Sequence, residues 1–181
     1  MLKIVIPEWE YYDERSGEFV RVKETELSLE HSLVSISKWE SIWHKAFLKP
    51  ENKTIDETMS YIKCMTLTQN VPDIVYSGLT ESNLKQIQAY IEDPMTATWF
   101  NERDKRHSRS REIVTSELIY YWMIALNIPF ECQKWHLNRL LTLVQVCNVK
   151  NTPPKKMSKN ALAHQNTSIN AARRAAMHSK G

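Results

Sequence analysis

Histidine, cysteine and paired carboxylates are the side chains most able to carry chemistry, and the chain has six histidines: His31, His44, His107, His136, His164 and His178. No pair has HExxH spacing, and none sits inside a CxxC framework of the kind that holds zinc. Cys132 and His136, one helical turn apart, are the nearest approach to a metal pair, but two further ligands are missing from their surroundings. The three cysteines, Cys64, Cys132 and Cys147, each fall in runs that read as helical, where a thiol behaves as a small buried hydrophobe. Neither a GxSxG elbow nor a glycine-rich phosphate loop is present. The acidic pairs Asp56-Glu57 and Glu92-Asp93 lie at expected helix ends, where capping and the helix dipole account for them. No catalytic, cofactor or metal residue is therefore expected, and the expectation is a protein that is not an enzyme.

Two basic features have the composition to meet nucleic acid: the stretch with Arg103, Lys105, Arg106, Arg109 and Arg111, and the pair Arg173-Arg174. The first is interleaved with Glu102, Asp104 and Glu112, so nucleic acid is not the expected partner. Residues 151–181 hold six basic and no acidic residues, which leaves eighteen basic against twenty-one acidic in the first 150. Arg173 and Arg174, beside the alanines at 171, 172, 175 and 176, suit a segment that folds onto a protein partner. Trp39 and Trp43, one helical turn apart, are protein-binding candidates if their shared face is exposed and core residues otherwise.

The elements that position these residues follow from periodicity. The start, LKIVIPEW to FVRVKETELSLE, alternates at a period near two and predicts a β-hairpin turning at Ser16-Gly17, with Pro7 at an edge or strand end. Ser37 and Glu40 have capping-box spacing and predict a helix carrying Ile36, Trp39, Trp43 and Phe47, closed at Pro50. Thr54 and Glu57 open a second, with Ile55, Met59, Ile62 and Met65 on its stripe. Thr80 caps a third, in which Leu84, Ile87 and Ile91 mark the buried side and Pro94 enforces the stop. MTATWF (95–100) is short and β-prone, a candidate third strand. The apolar runs Ile113–Ile128 and Cys132–Val149, joined at Pro129, predict two central helices packed on each other. The expectation is thus a mostly helical α+β body over 1–150, a hairpin on a bundle of about five helices. A basic tail over 151–181 follows, flexible or marginally helical. No run is apolar for the roughly 20 residues that cross a bilayer, and the start lacks a signal-peptide pattern, so no membrane partner is expected.

Four stretches together resemble the tail assembly chaperones of long-tailed bacteriophages: Leu29 to Leu48, Pro94 to Phe100, Ile119 to Leu141 and the ending Asn170-Ala-Ala-Arg-Arg174. The likeness covers nearly the whole chain. It implies a protein of the host bacterial cytoplasm that binds the phage tape measure protein, keeps its long apolar helices soluble, helps recruit tail-tube subunits, and is absent from the mature virion. It also implies a longer frameshifted form, for which Pro154-Lys155-Lys156 is codable by a slippery stretch. Self-association is left open. Two other classes remain: a structural virion component, such as a head–tail connector or tail completion protein, and a small DNA-binding regulator.

Overall fold

The computed structural model describes residues 1–15, 17–98, 100, 113–152 and 159–176. It is an α+β chain, as the patterning predicts. Four strands open it, β1 (Leu2–Ile6), β2 (Trp9–Asp13), β3 (Glu18–Val22) and β4 (Thr25–Leu29). β1 pairs antiparallel with β4 from Leu2↔Leu29 to Ile6↔Thr25, and β2 with β3 from Trp9↔Val22 to Asp13↔Glu18. Partner numbers keep one constant sum in both ladders, so the two form a single long hairpin. Pro7, which has no N–H to donate, falls in the break between them. Gly17 takes a positive φ of 72° at the turn and donates its N–H to Asp13 O at 2.8 Å. The two halves differ in burial. Ile4, Ile6, Leu27 and Leu29 point inward at the period-two spacing, whereas β3 is exposed as far as Val22.

MTATWF is not a third strand: the described residues 95–98 and 100 have no strand pairing, and Trp99 lies outside them. Met95 adopts the left-handed region (φ 50°) with its N–H on Asp93 Oδ1, which turns the chain just after Pro94. The outer edge of β4 is taken instead by residues 65–68. Leu67 N–H donates to Ser28 O at 2.8 Å, Glu30 N–H to Met65 O at 2.9 Å, and Ser28 N–H to Thr68 Oγ1.

Seven α-helices follow among the described residues: α1 (Leu33–Trp43), α2 (Ile55–Met65), α3 (Asp73–Tyr76), α4 (Glu81–Glu92), α5 (Ser116–Ala125), α6 (Leu137–Asn151) and α7 (Lys159–Ala176). Thr54 and Glu57 form the expected capping box of α2, and Thr80 caps α4 with Asn83 as its reciprocal partner. α1 starts five residues earlier than the Ser37–Glu40 spacing predicts. Its box is Ser32 with Ser35, which frees Glu40 for a different task. The helix ends at His44, in the left-handed region (φ 53°) with its N–H on Glu40 O, well before Pro50. Two buried stripes shift as well. Ile55, the first residue of α2, is 83% exposed, and α4 buries Asn83, Ile87 and Tyr90 rather than Leu84.

α1 is the central helix, packing against α2, α5 and the 3₁₀ segment Phe130–Lys134, while α4 packs on β1. The expected pairing of two central helices is therefore replaced: α5 rests chiefly on α1, and the second apolar run begins as the 3₁₀ segment after Pro129 before α6 starts at Leu137. The chain divides into two compact units, Met1–Asn148 and Val149–Gly181. No helix among the described residues is long and apolar enough to cross a membrane.

Candidate functional site

The candidate site grows from the composition of α5. SELIYYWMIA is apolar nearly all the way round, a pattern that normally belongs to a wholly buried helix. Only one side is covered: Ile119 and Met123 are fully buried, whereas Tyr121 and Ile124 are 63% and 61% exposed. Phe130 adds a further exposed ring, stacked on Tyr120 with centroids 6.4 Å apart. Beside this face lies an apolar groove of about 430 Å³. Leu48 and Pro50 form one wall, Ile113 and Val114 the entry to α5, and Trp122 of α5 and Leu141 of α6 the rest, with Lys49 at the rim. A volume of this size with so apolar a lining is ordinary for a binding pocket.

Glu40 holds the walls of that groove in place. Its side chain is buried, yet both carboxylate oxygens are used: Oε1 accepts from Phe47 N–H and Oε2 from Ser116 N–H, each at 2.8 Å. Thr115, the N-cap of α5, makes no side-chain capping bond, so a carboxylate from α1 caps this helix across 76 residues of sequence. The same group fixes the chain just before Leu48, the groove's first wall. Lys45 ion-pairs with Glu57 Oε1 at 2.5 Å, and Lys53 Nζ donates to Phe47 O at 2.9 Å, which ties down the rest of this loop.

The tryptophan candidates are corrected by burial. Trp39 is 1% exposed and donates its indole N–H to Glu57 O at 2.8 Å, so it belongs to the core and has no face to offer a partner. Trp43 is half-buried, stacked on Trp39 with centroids 6.2 Å apart, and donates to Ser60 Oγ at 3.0 Å. Their spacing puts them on one face, and that face is turned onto α2. Arg173 and Arg174 are exposed on α7, where Arg174 Nε donates to Asn170 O at 3.4 Å. The basic stretch from Arg103 to Arg111 lies outside the described residues.

The structure also assembles a buried polar cluster that sequence spacing missed. His31 Nδ1 lies 2.6 Å from Tyr61 OH, the ring centroids of His31 and His136 are 5.0 Å apart, and Ser35 Oγ donates to Ser32 O and Glu30 O. His136 Nε2 donates to the Tyr90 carbonyl at 2.9 Å and its Nδ1 accepts from Asn138 N–H. Burial, with His136 adding to it, pushes His31 down to about 3. Burial also raises the Tyr61 phenol well above its ordinary range. The cluster is closed to solvent, and it knits β4's end, α1, α2 and α6 together. Pairs such as 31 and 136 are 105 positions apart, and no local pattern reports them.

His136 thus faces Tyr90, not Cys132, whose thiol is raised chiefly by its own burial. No group of three or more His, Cys, Asp or Glu side chains that could hold a metal occurs among the described residues. No protein-family model matches the chain, and neither a curated protein nor a solved structure matches it.

Proposed function

We propose that this chain is a non-enzymatic protein of phage tail assembly, a chaperone that holds apolar helices of the tape measure protein in the groove beside α5 and helps bring tail-tube subunits to them. One observation carries the reading: a helix of core composition, fixed at its N-terminus by a buried carboxylate, leaves Tyr121, Ile124 and the groove at Trp122 uncovered. A rigid apolar groove flanked by exposed aromatic and aliphatic side chains suits the helix-in-groove mode, in which an amphipathic helix inserts anchors at i, i+3, i+4 and i+7. The likeness to tail assembly chaperones supplies the identity of the guest.

Co-expression with the tape measure protein tests this. The wild-type chain is expected to move the tape measure protein into the soluble fraction. Ile113→Asp with Ile124→Asp, both at exposed positions and so neutral to folding, should abolish that effect. Retained solubilisation by the double variant overturns the groove as the site. Mass spectrometry of purified particles beside infected-cell lysate tests the departure step: abundance in lysate and absence from particles is expected, and a fixed copy number in particles makes the chain a connector or completion protein instead.

A further inference from the structure

The outer half of the long hairpin, β2 with β3, carries an aromatic pair that no other described element of its unit covers. Tyr12 and Phe19 sit opposite each other in the ladder with ring centroids 5.3 Å apart in an edge-to-face pair, and they are 54% and 73% exposed. Two-stranded ribbons gain little from their own pairing, and an aromatic pair held open at such a tip costs solubility without stabilising a core. The surrounding charge is mainly acidic: residues 8–22 hold Glu8, Glu10, Asp13, Glu14 and Glu18 against Arg15 and Arg21, and Arg21 pairs with Glu8. The opposite charge is concentrated at the other end of the chain, where residues 149–181 hold seven basic residues and no acidic one. α7 presents part of it in helical form: Ile169, 41% exposed, precedes Arg173 by one turn, and Arg174 follows.

We propose that the β2–β3 arm of one copy binds α7 of a second copy, with Ile169 against the Tyr12–Phe19 pair and Arg173 and Arg174 against Glu14 and Glu18. Guanidinium groups pair with carboxylates and lie over aromatic faces, and Glu14 and Glu18 flank the tip that carries the ring pair. The two surfaces differ and lie on separate units, which makes the contact head-to-tail: each copy offers one arm and one helix, and association grows by addition. This contact is independent of the groove and of the proposed guest.

Sedimentation equilibrium of the full chain tests it. Wild type is expected to show a mass above the monomer that rises with concentration, and a dissociation constant at least about tenfold weaker on going from about 50 mM to about 500 mM NaCl, because exposed charges are screened. An arm variant, Glu14→Arg with Glu18→Arg, and a helix variant, Arg173→Glu with Arg174→Glu, should each be monomeric alone. Mixed in equal amounts they regain association, because the intact arm meets the intact α7 and the reversed arm meets the reversed α7. A chain carrying both reversals regains association. Because the two variants change different units, misfolding of one leaves the other as a test. A wild-type chain that stays monomeric at every concentration overturns the proposal, as does association that survives in each single-surface variant or a mixture that stays monomeric.

Discussion

Glu40 shows how much one side chain carries. It is a buried carboxylate whose two oxygens satisfy two backbone N–H groups, one before the groove's first wall and one at the first turn of α5. Truncation strands both donors, so Glu40→Ala is expected to cost about 2–4 kcal/mol, read as a lower urea midpoint, with Glu40→Gln intermediate because it keeps one acceptor. A change within error for Glu40→Ala would show that water replaces the carboxylate. His31 gives a pH prediction whose sign is set by its burial. An unfolded histidine titrates near 6.5, whereas His31 is pushed down to about 3 in the fold. Above the upper value both states are neutral and this residue contributes no slope. Between the two, the unfolded chain takes up a proton that the folded chain excludes. Stability therefore falls as the solution is acidified, by up to roughly 1 kcal/mol per pH unit from this group, and its contribution levels off below the lower value. His31→Gln keeps a polar group opposite Tyr61 and removes the titration, so urea midpoints at pH 7 and pH 5 should lie closer together than in wild type. An unchanged gap between them would assign the acid sensitivity to other groups.

Among the elements, the long hairpin is anchored at its middle by a close approach. Gly78, just after α3, faces the Trp9 indole, and a Cβ built there overlaps the ring and comes to 3.0 Å from Ile6 Cγ2. The indole N–H is buried with no acceptor among the described residues, so packing is what seats the ring there. Gly78→Ala should destabilise the body by about 1–3 kcal/mol and shift the tryptophan fluorescence, because the ring must move off its seat. A variant as stable as wild type with an unshifted spectrum would mean that the hairpin slides at no cost. Period-two alternation made this hairpin legible, and Pro7 told where its ladder breaks. The helices of α2 and α4 were equally legible from Thr54 and Thr80, because a cap is a local bond between residues three apart. The start of α1 was not: Ser37-Glu40 and Ser32-Ser35 offer competing boxes, and the second prevails because Glu40 is drawn away to Phe47 and Ser116. MTATWF was misread for a related reason, since strand propensity supplies no edge to pair with, and residues 65–68 already occupy it.

At the scale of the whole molecule, the division after Asn148 predicts that the body needs nothing from the tail. A chain ending at Thr152 should unfold with the same thermal midpoint as the full chain, keep the groove, and lose concentration-dependent association. A lowered midpoint would make the tail part of the body's stability. Composition and local periodicity determined the α+β class, the hairpin, the caps that start α2 and α4 and the basic end, because each rests on interactions between residues a few positions apart. Tertiary structure alone decided that Trp39 is core and turned onto α2, that α5 packs on α1 and leaves an apolar face open, and that His31 meets His136. These outcomes depend on which apolar faces find each other. Trp39, Tyr121 and Trp122 look alike in a sequence, and only the placement of α1 against α2 and α5 separates the ring that is covered from those left open.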